Sequence, residues 1–490
     1  MSDANTAAQR WPDHVVVNLS DQIEPLLAYH DIAELLDREQ ESRLVDYIKS
    51  CHTMSFDQVS KRYSYWKDAD RAHDVYVRPD ATQFREKAVI PDTRAITDTV
   101  LTYMMAALAG RNPMFQLEAL NRHSRKPSAV VERVLHQNMR RTAGEARIAQ
   151  LLLDSIRYGF APTKLLWLPD KNQNHIINFD PRRCFPDPRV NWGDWEKMQF
   201  IVFSDAVSFS EAYASGLYPL LNQRPDLRTD TGTSYSWEGH RWHREAGRGF
   251  SIDPVLNNER GNFFTLGRNR WFDEAWIRLA GYEIGLPGIH MVWLVATVMD
   301  EKHIISLRLN PYGQQFPTVI GGMFFDSHKT YSESLYDLML PLHDIATWLL
   351  RSRVDNVQAA LNNLIFVDPL QVNVPDLIDR NPWGIVTVNP GVKPGDGVYV
   401  AQVPDVTRGH WNDIAALSDM KQRLSAASDA QQGIPTPDVR TATEIQRLTQ
   451  LGSQRLGMMS RVFSSTTIRP LVRMMCANIQ DALEYNGTIR

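Results

Sequence analysis

His240 and His243 stand three residues apart, a spacing at which two imidazoles could in principle share a metal ion. They lie in a Trp- and Arg-rich stretch with no cysteine or clustered carboxylate beside them, so the donor set for a metal is incomplete. Asp180 and Asp187, flanked by Pro181, Pro186 and Pro188, are the other chemical candidate, as a carboxylate pair for acid–base work. Asp-Pro steps are ordinary turn formers, and the turn reading is favoured. Gly321-Gly322 reads as a turn after a strand. No G-x-x-x-x-G-K-[ST], G-x-S-x-G or H-E-x-x-H occurs, so the usual phosphate loop, nucleophile elbow and zincin helix are absent. The three cysteines, Cys51, Cys184 and Cys476, are far apart and fit no metal spacing or disulfide framework. No cofactor or metal is implied, and an enzyme with dispersed metal ligands is the weakest reading.

The totals point toward packing and interfaces. The chain has 490 residues, enough for about three domains. It is 43% hydrophobic and carries 13 tryptophans, which suits packed sheets and subunit interfaces. With 53 basic and 57 acidic residues the net charge is −4, without the basic excess of a tight phosphate binder. The densest basic cluster is Arg122-His-Ser-Arg-Lys126, read as a solvated loop before a helix. No apolar run is long enough to span a membrane, and Met-Ser-Asp-Ala-Asn opens without the features of a signal peptide. Synthesis in the cytoplasm is expected.

Periodicity places the elements. Helices are expected over Glu39–Lys49, over Asp92–Gly110 (Ile96, Val100, Met104 and Leu108 on one face), and as one long helix over Ser128–Tyr158. Met114–Leu120, Thr163–Leu168, His175–Phe179 and Met198–Ser204 read as strands, and Val207–Leu221 as a short helix. Residues 226–267 read as an insertion. A block of four short strands follows (Trp271–Leu279, Met291–Val298, Ile304–Leu309, Thr318–Phe325) and looks like a small separate domain. Ser334-Leu-Tyr-Asp337 is a capping box before a helix whose face is Leu342, Ile345, Leu349, Val357, Leu361 and Leu364, about 35 Å long. Short strands (Ile385–Val388, Val398–Val403) and a helix over His410–Gln432 come next. Pro435 and Pro437 then break the chain, and Thr441-Ala-Thr-Glu444 opens a terminal helix with Ile468, Leu471, Val472, Met475, Ile479 and Leu483 on one face. The fold class is α+β, and a chain of this kind is built to assemble rather than to convert.

In this order the segments resemble the portal (head-to-tail connector) proteins of tailed bacteriophages, most like the podovirus type. The resemblance covers roughly residues 90–485 and rests on four places. These are the helix running into Asp154-Ser-Ile-Arg-Tyr-Gly159 and Lys164-Leu-Leu-Trp167, and then Phe179-Asp-Pro181 with Phe185-Pro-Asp-Pro188. The third is the β block Trp271–Phe325 feeding a helix, and the fourth is Thr441-Ala-Thr-Glu444. It implies a ring, usually of twelve copies, at one capsid vertex of the virion, with double-stranded DNA passing through a central channel. By analogy residues 1–205 and 365–440 would form the wing, 206–267 a first stem helix and insertion, and 268–325 an inserted β-rich clip. Residues 330–364 would be the second stem helix and 441–490 the crown. Partners would be the terminase large subunit, the major capsid or scaffold protein and a head-to-tail adaptor, with no membrane. Glu301, Lys302 and His303 would be candidates for motor contact at the clip. Lys393, in Asn389–Gly397, is a candidate for DNA contact from a channel loop, with a plain surface turn as the other reading. Arg351 and Arg353 would reach DNA phosphates, or pair with Asp355 or with a neighbouring subunit. The face Leu471/Met475/Ile479 is expected to be buried against neighbours in the ring. Another virion or adaptor protein is the alternative, and the β block argues against a short adaptor.

Overall fold

The computed structural model describes residues 31, 37–75, 88–110, 113–119, 125–215, 218, 220–221, 269–284, 291–324, 328–361, 364–373, 375, 387, 390–391, 393, 398–401, 404–407, 409–427 and 454–486. In chain order the elements are α1 (Arg38–Val59), α2 (Tyr63–His73), α3 (Asp92–Ala109), α4 (Arg125–Arg141), α5 (Gly144–Tyr158), β1 (Ala161–Leu168), β2 (Gln173–Asn178), β3 (Cys184–Pro186), β4 (Phe200–Ser208) and α6 (Phe209–Ala214). Then come β5 (Asn269–Ala280), β6 (Met291–Met299), β7 (His303–Leu309), β8 (Thr318–Gly321), α7 (Leu335–Leu361), β9 (Leu364–Val367), β10 (Val398–Ala401), α8 (His410–Ser425) and α9 (Arg469–Asn486). A helical stretch over 454–463 and a π-helical turn, Ser464–Ile468, lead directly into α9.

The chain forms two compact units. The first comprises Met1–Asp70, Thr97–Leu338 and Ala426–Arg490, and the second Arg71–Ile96 and Met339–Ser425.

The first unit is built on two antiparallel sheets. One has the order β3-β4-β5-β6-β7, the other β2-β1-β8. Phe185, Phe200, Phe203, Trp276, Leu294 and Leu307 are buried in the five-stranded sheet's core. Burying each such side chain contributes roughly 1.5–3 kcal/mol. On α1 the buried residues Leu44, Ile48, Cys51, Ser55 and Val59 recur every three or four positions, which turns one face of the helix onto β3 and β7. β6 and β7 are joined by three residues, Asp300–Lys302, of which Asp300 and Glu301 both have positive φ (50° and 55°). That is the twist a tight hairpin requires.

The three-stranded sheet is covered by α5 and α9, and α4 packs on both of those helices. On α9 Leu471, Met475 and Ile479 are fully buried. The face legible in the sequence is therefore real, but it closes on this chain's own sheet and not on a neighbouring subunit. Asn174 of β2 donates to the carbonyl of Met475 (3.2 Å) and accepts from Asn478 (2.9 Å), which pins the helix to the strand.

Several expectations change. The single helix over Ser128–Tyr158 is two, because Ala143 takes a left-handed conformation (φ 51°) and breaks α4 from α5. Met114–Leu120 is not a strand; its described residues are bends and irregular chain. The block 268–325 is not a separate domain: β5–β7 extend the sheet begun by β3 and β4, and β8 pairs with β1. Strand propensity marks each segment but is silent on its partner. Within Val207–Leu221 the helix α6 covers six residues, since β4 runs on through Ser208; Leu220 and Leu221 are helical again. α1 extends ten residues beyond Lys49. Thr441–Glu444, Ile385, Val386 and Val388 lie outside the described residues.

The capping box at the start of α7 is present. Ser334 Oγ accepts from the Asp337 amide and Asp337 Oδ2 from the Ser334 amide, each at 2.9 Å. Such a cap contributes about 1 kcal/mol. Asp337 also pairs with Arg62. Pro341 lies inside α7, which begins at Leu335 and ends at Leu361, so that Leu364 of the expected helical face belongs to β9 instead.

In the second unit Lys421, fully buried, reaches Asp92 Oδ2 at 3.1 Å. His343 Nδ1 is 3.1 Å from Thr93 Oγ1. Trp348 of α7 stands beside His410 of α8, their rings 6.5 Å apart. β9 and β10 form a two-stranded ribbon in the chain between α7 and α8.

Candidate functional site

His240 and His243 lie outside the described residues. Among the described residues no group of histidines, cysteines and carboxylates is arranged to hold a metal. Asp180 and Asp187 are turn residues. Asp180 accepts from the amide of Arg182 (3.1 Å). Asp187 accepts from the amides of Arg189 and Gln199 (3.1 and 3.2 Å) and is held bidentately by the Arg189 guanidinium (2.9 and 3.0 Å). Neither carboxylate is poised for proton transfer. Gly321 ends β8 where a Cβ would come within 2.6 Å of Ser155 Oγ, so this glycine lets the sheet close on α5. Burial pushes all three thiols up, Cys51 to about 11, which leaves no thiolate nucleophile among them.

The charged groups that are buried hold elements together. Asp70, at the end of the first unit's N-terminal segment, has Arg157 Nη2 at 2.7 Å on one carboxylate oxygen and Arg182 Nη2 at 2.7 Å on the other. Tyr158 donates its hydroxyl to Asp70 at 2.7 Å, Trp66 donates to the Tyr158 carbonyl at 2.9 Å, and Arg182 lies over the rings of Trp66 and Tyr158. Burial alone would lower the Arg182 pKa, but Asp180 and Asp70 outweigh it and the pKa is raised. Lys164 of β1 pairs with Glu274 of β5 inside a ring of Phe179, Phe203 and Trp276, and so ties one sheet to the other.

His52 on α1 is buried against Phe185 and lies 3.6 Å from Glu301. Desolvation lowers its pKa from 6.5 to about 4, despite an opposing pull from Glu301. His343 is likewise lowered to about 4, by burial and then by Lys421. As pH falls below 6.5 the unfolded chain takes up these protons first, while the folded chain holds both rings neutral until about 4. The contribution of these two neutral rings to stability is therefore full above pH 6.5 and is lost as pH falls across that window. Denaturant unfolding at stepped pH should show this fall, and His52→Gln should make it shallower by about half, His343 supplying the rest. An unchanged slope in the variant would remove His52 from the account.

The residues singled out for contacts are dispersed. Glu301 lies at the β6–β7 turn, 3.8 Å from Lys49 and beside His52; Lys302 is exposed and His303 half-buried. In the second unit Arg351 Nε donates to the Ala88 carbonyl (2.9 Å) and Arg353 Nη1 to the Thr407 carbonyl (2.7 Å); neither pairs with Asp355 among the described residues. Lys393 is exposed. A cleft of about 570 Å³ between residues 113–119 and α4 is lined by Glu118, Glu132, Arg133 and His136. Its Glu132 is already engaged by the Leu117 amide (2.9 Å). This mixed lining brings no catalytic set together.

What the sequence reading missed is a surface. In the second unit Trp348 and Trp411 are 52% and 61% exposed, with Ile345, Val406 and Met420 also exposed. On the ribbon Phe366 and Tyr399 are paired across the strands and both face solvent. Monomeric proteins rarely expose that much large apolar side chain in one compact unit, and such patches mark interaction sites. The abundance of tryptophan was the available signal.

The model of one protein family, described as phage SU10 portal protein, matches residues 126–490. No curated protein matches the chain.

Proposed function

Because the chain belongs to the phage SU10 portal protein family, we propose that it assembles as a closed ring, of twelve copies in the usual case, at one capsid vertex. In this role it conducts double-stranded DNA during packaging and ejection. It is made in the host cytoplasm, becomes part of the virion and does structural rather than catalytic work. Its partners are the terminase large subunit, the major capsid or scaffold protein, and the head-to-tail adaptor. The family match over most of the chain carries this reading. The exposed apolar surface of the second unit supports it, since a ring needs heterologous contacts around its circumference.

The fold also favours a different placement of the parts. The strands of 268–325 belong to the sheets of the first unit, which suits a wing better than a clip. A helix–ribbon–helix succession, α7, β9–β10 and α8, makes up most of the second unit and suits two stem helices around a clip. Arg351 and Arg353 are then engaged in holding backbone carbonyls, and the exposed Lys393 is the better candidate for DNA contact. On this placement Glu301, Lys302 and His303 belong to the wing, and motor contact moves to the ribbon.

Native mass spectrometry and negative-stain microscopy of the purified protein test the ring. A stable monomer or dimer at micromolar concentration would count decisively against it. Trp348→Ala with Trp411→Ala should shift rings toward monomers with unchanged far-UV dichroism, because buried interface tryptophans commonly contribute about 2 kcal/mol or more each. Full ring formation by that variant would move the interface elsewhere.

A further inference from the structure

The outer face of α4 carries charge of one sign. Lys126, Arg133 and Arg140 are exposed and recur every seven residues, opposite the buried face formed by Val131, Leu135 and Met139. Arg141 is exposed beside them. Over the whole helix five cations stand against one carboxylate, Glu132, in a chain whose net charge is −4. That carboxylate is half-buried and taken by the Leu117 amide. Among the described residues none of Lys126, Arg133, Arg140 and Arg141 has an ion-pair partner. On α9, which packs on α4, Arg469 and Arg473 are exposed one turn apart and add two cations on the adjoining helix.

An ordinary solvated helix face mixes signs and gains from i,i+4 pairs. This face does neither. Its first turn holds no acid and opens with Arg125-Lys126, where the helix dipole disfavours cations. The arrangement costs the isolated fold stability and becomes favourable once an anionic surface lies against it.

We propose that the outer face of α4, extended by Arg469 and Arg473 of α9, binds the phosphate backbone of duplex DNA without reading its sequence. Seven helical residues rise about 10.5 Å, so the three cations form a stripe about 21 Å long, and a duplex presents a negative charge for about every 1.7 Å of its axis. A stripe of one sign along that whole length is matched by a duplex, whose backbone is negative throughout, better than by the mixed charges of a protein surface. This surface is separate from Lys393 and needs no channel. It rests on the portal reading only for the supply of duplex DNA, not for the charge.

The test is fluorescence anisotropy of a short labelled duplex with the full-length protein, repeated across a salt series. Lys126→Gln/Arg133→Gln/Arg140→Gln should make the dependence of log affinity on log salt shallower by about 2.7, at roughly 0.9 per lost phosphate contact. A control, Lys61→Gln/Lys197→Gln/Arg423→Gln, removes three positive charges elsewhere and should leave the slope unchanged. Should the triple variant fold poorly, Arg133→Glu alone should weaken duplex binding while keeping the wild-type unfolding transition. A slope equal to the control's, or no duplex binding by the unaltered protein, would overturn the proposal. Loss of binding to phosphatidylglycerol vesicles with duplex binding retained would assign the face to a membrane and overturn it equally. Ring formation, read separately by native mass spectrometry, is expected to survive these substitutions, so failure here is distinguishable from failure of the portal reading.

Discussion

Asp70→Ala is expected to destabilise the first unit by about 3–5 kcal/mol, the range for removing one partner of a buried ion pair. The carboxylate is the shared counter-charge of Arg157 and Arg182, whose side chains are only 7% and 8% exposed. Removing it leaves two buried guanidinium groups facing each other across the gap, together with the hydroxyl of Tyr158. Because the three partners come from α2, α5 and the turn before β3, the loss should loosen the seam between helical layer and sheet. The measurement is the denaturant midpoint of the purified protein, with expression yield as a coarse companion. Asp70→Asn separates charge from shape, since it preserves size and an acceptor for Tyr158. If the asparagine variant costs less than about 1 kcal/mol, the buried-charge argument fails and the alanine effect is one of packing.

The second large effect is expected at Gly159. It ends α5 with φ 68°, a conformation that costs an ordinary residue roughly 1–2 kcal/mol. A Cβ there would also strike the carbonyl oxygen of Ser332 and lie 2.9 Å from backbone atoms of Glu333 and Ser334. Those atoms cannot swing away as a side-chain tip can, because Ser332 donates its hydroxyl to the Gly159 carbonyl and Ser334 forms the cap of α7. Gly159→Ala should therefore cost roughly 3 kcal/mol or more, the strain and the displaced backbone together. A Gly193→Ala control, also at positive φ (91°) but with open space around its Cβ position, should show the conformational cost alone. Equal losses at the two sites would refute the close-approach argument.

The comparison of the two glycines shows where sequence reading works. Local signals were legible: the Ser334–Asp337 cap, the Ile96/Val100/Met104 face of α3, and the Leu471/Met475/Ile479 face of α9 were all evident from spacing. Each is encoded within one or two helical turns. The break between α4 and α5 was hidden because alanine is a good helix former, and its left-handed conformation at Ala143 is imposed by tertiary packing. The Asp70 constellation could not be read at all. Its members are separated by up to 112 residues, and nothing local marks Asp70 as different from other aspartates. Strands were found, but their order was not, since β4–β5 and β1–β8 pairings join distant segments. The cationic stripe on α4 was within reach. Lys126 was noted only as the end of a loop cluster, and the seven-residue repeat through Arg133 and Arg140 becomes informative once the opposite face is known to be buried.

The clasp between β2 and α9 has a bearing on synthesis. Asn174 and the Met475 carbonyl are 301 residues apart in the chain. At roughly 5–20 residues per second, on the order of 15–60 s of translation separates them. During that interval β1 and β2 have α5 against them but not α9. A chain broken off before residue 454 never acquires α9, and the part of the sheet that α9 covers stays open to proteases and chaperones. Only a chain translated through α9 therefore has both covering helices of this sheet in place.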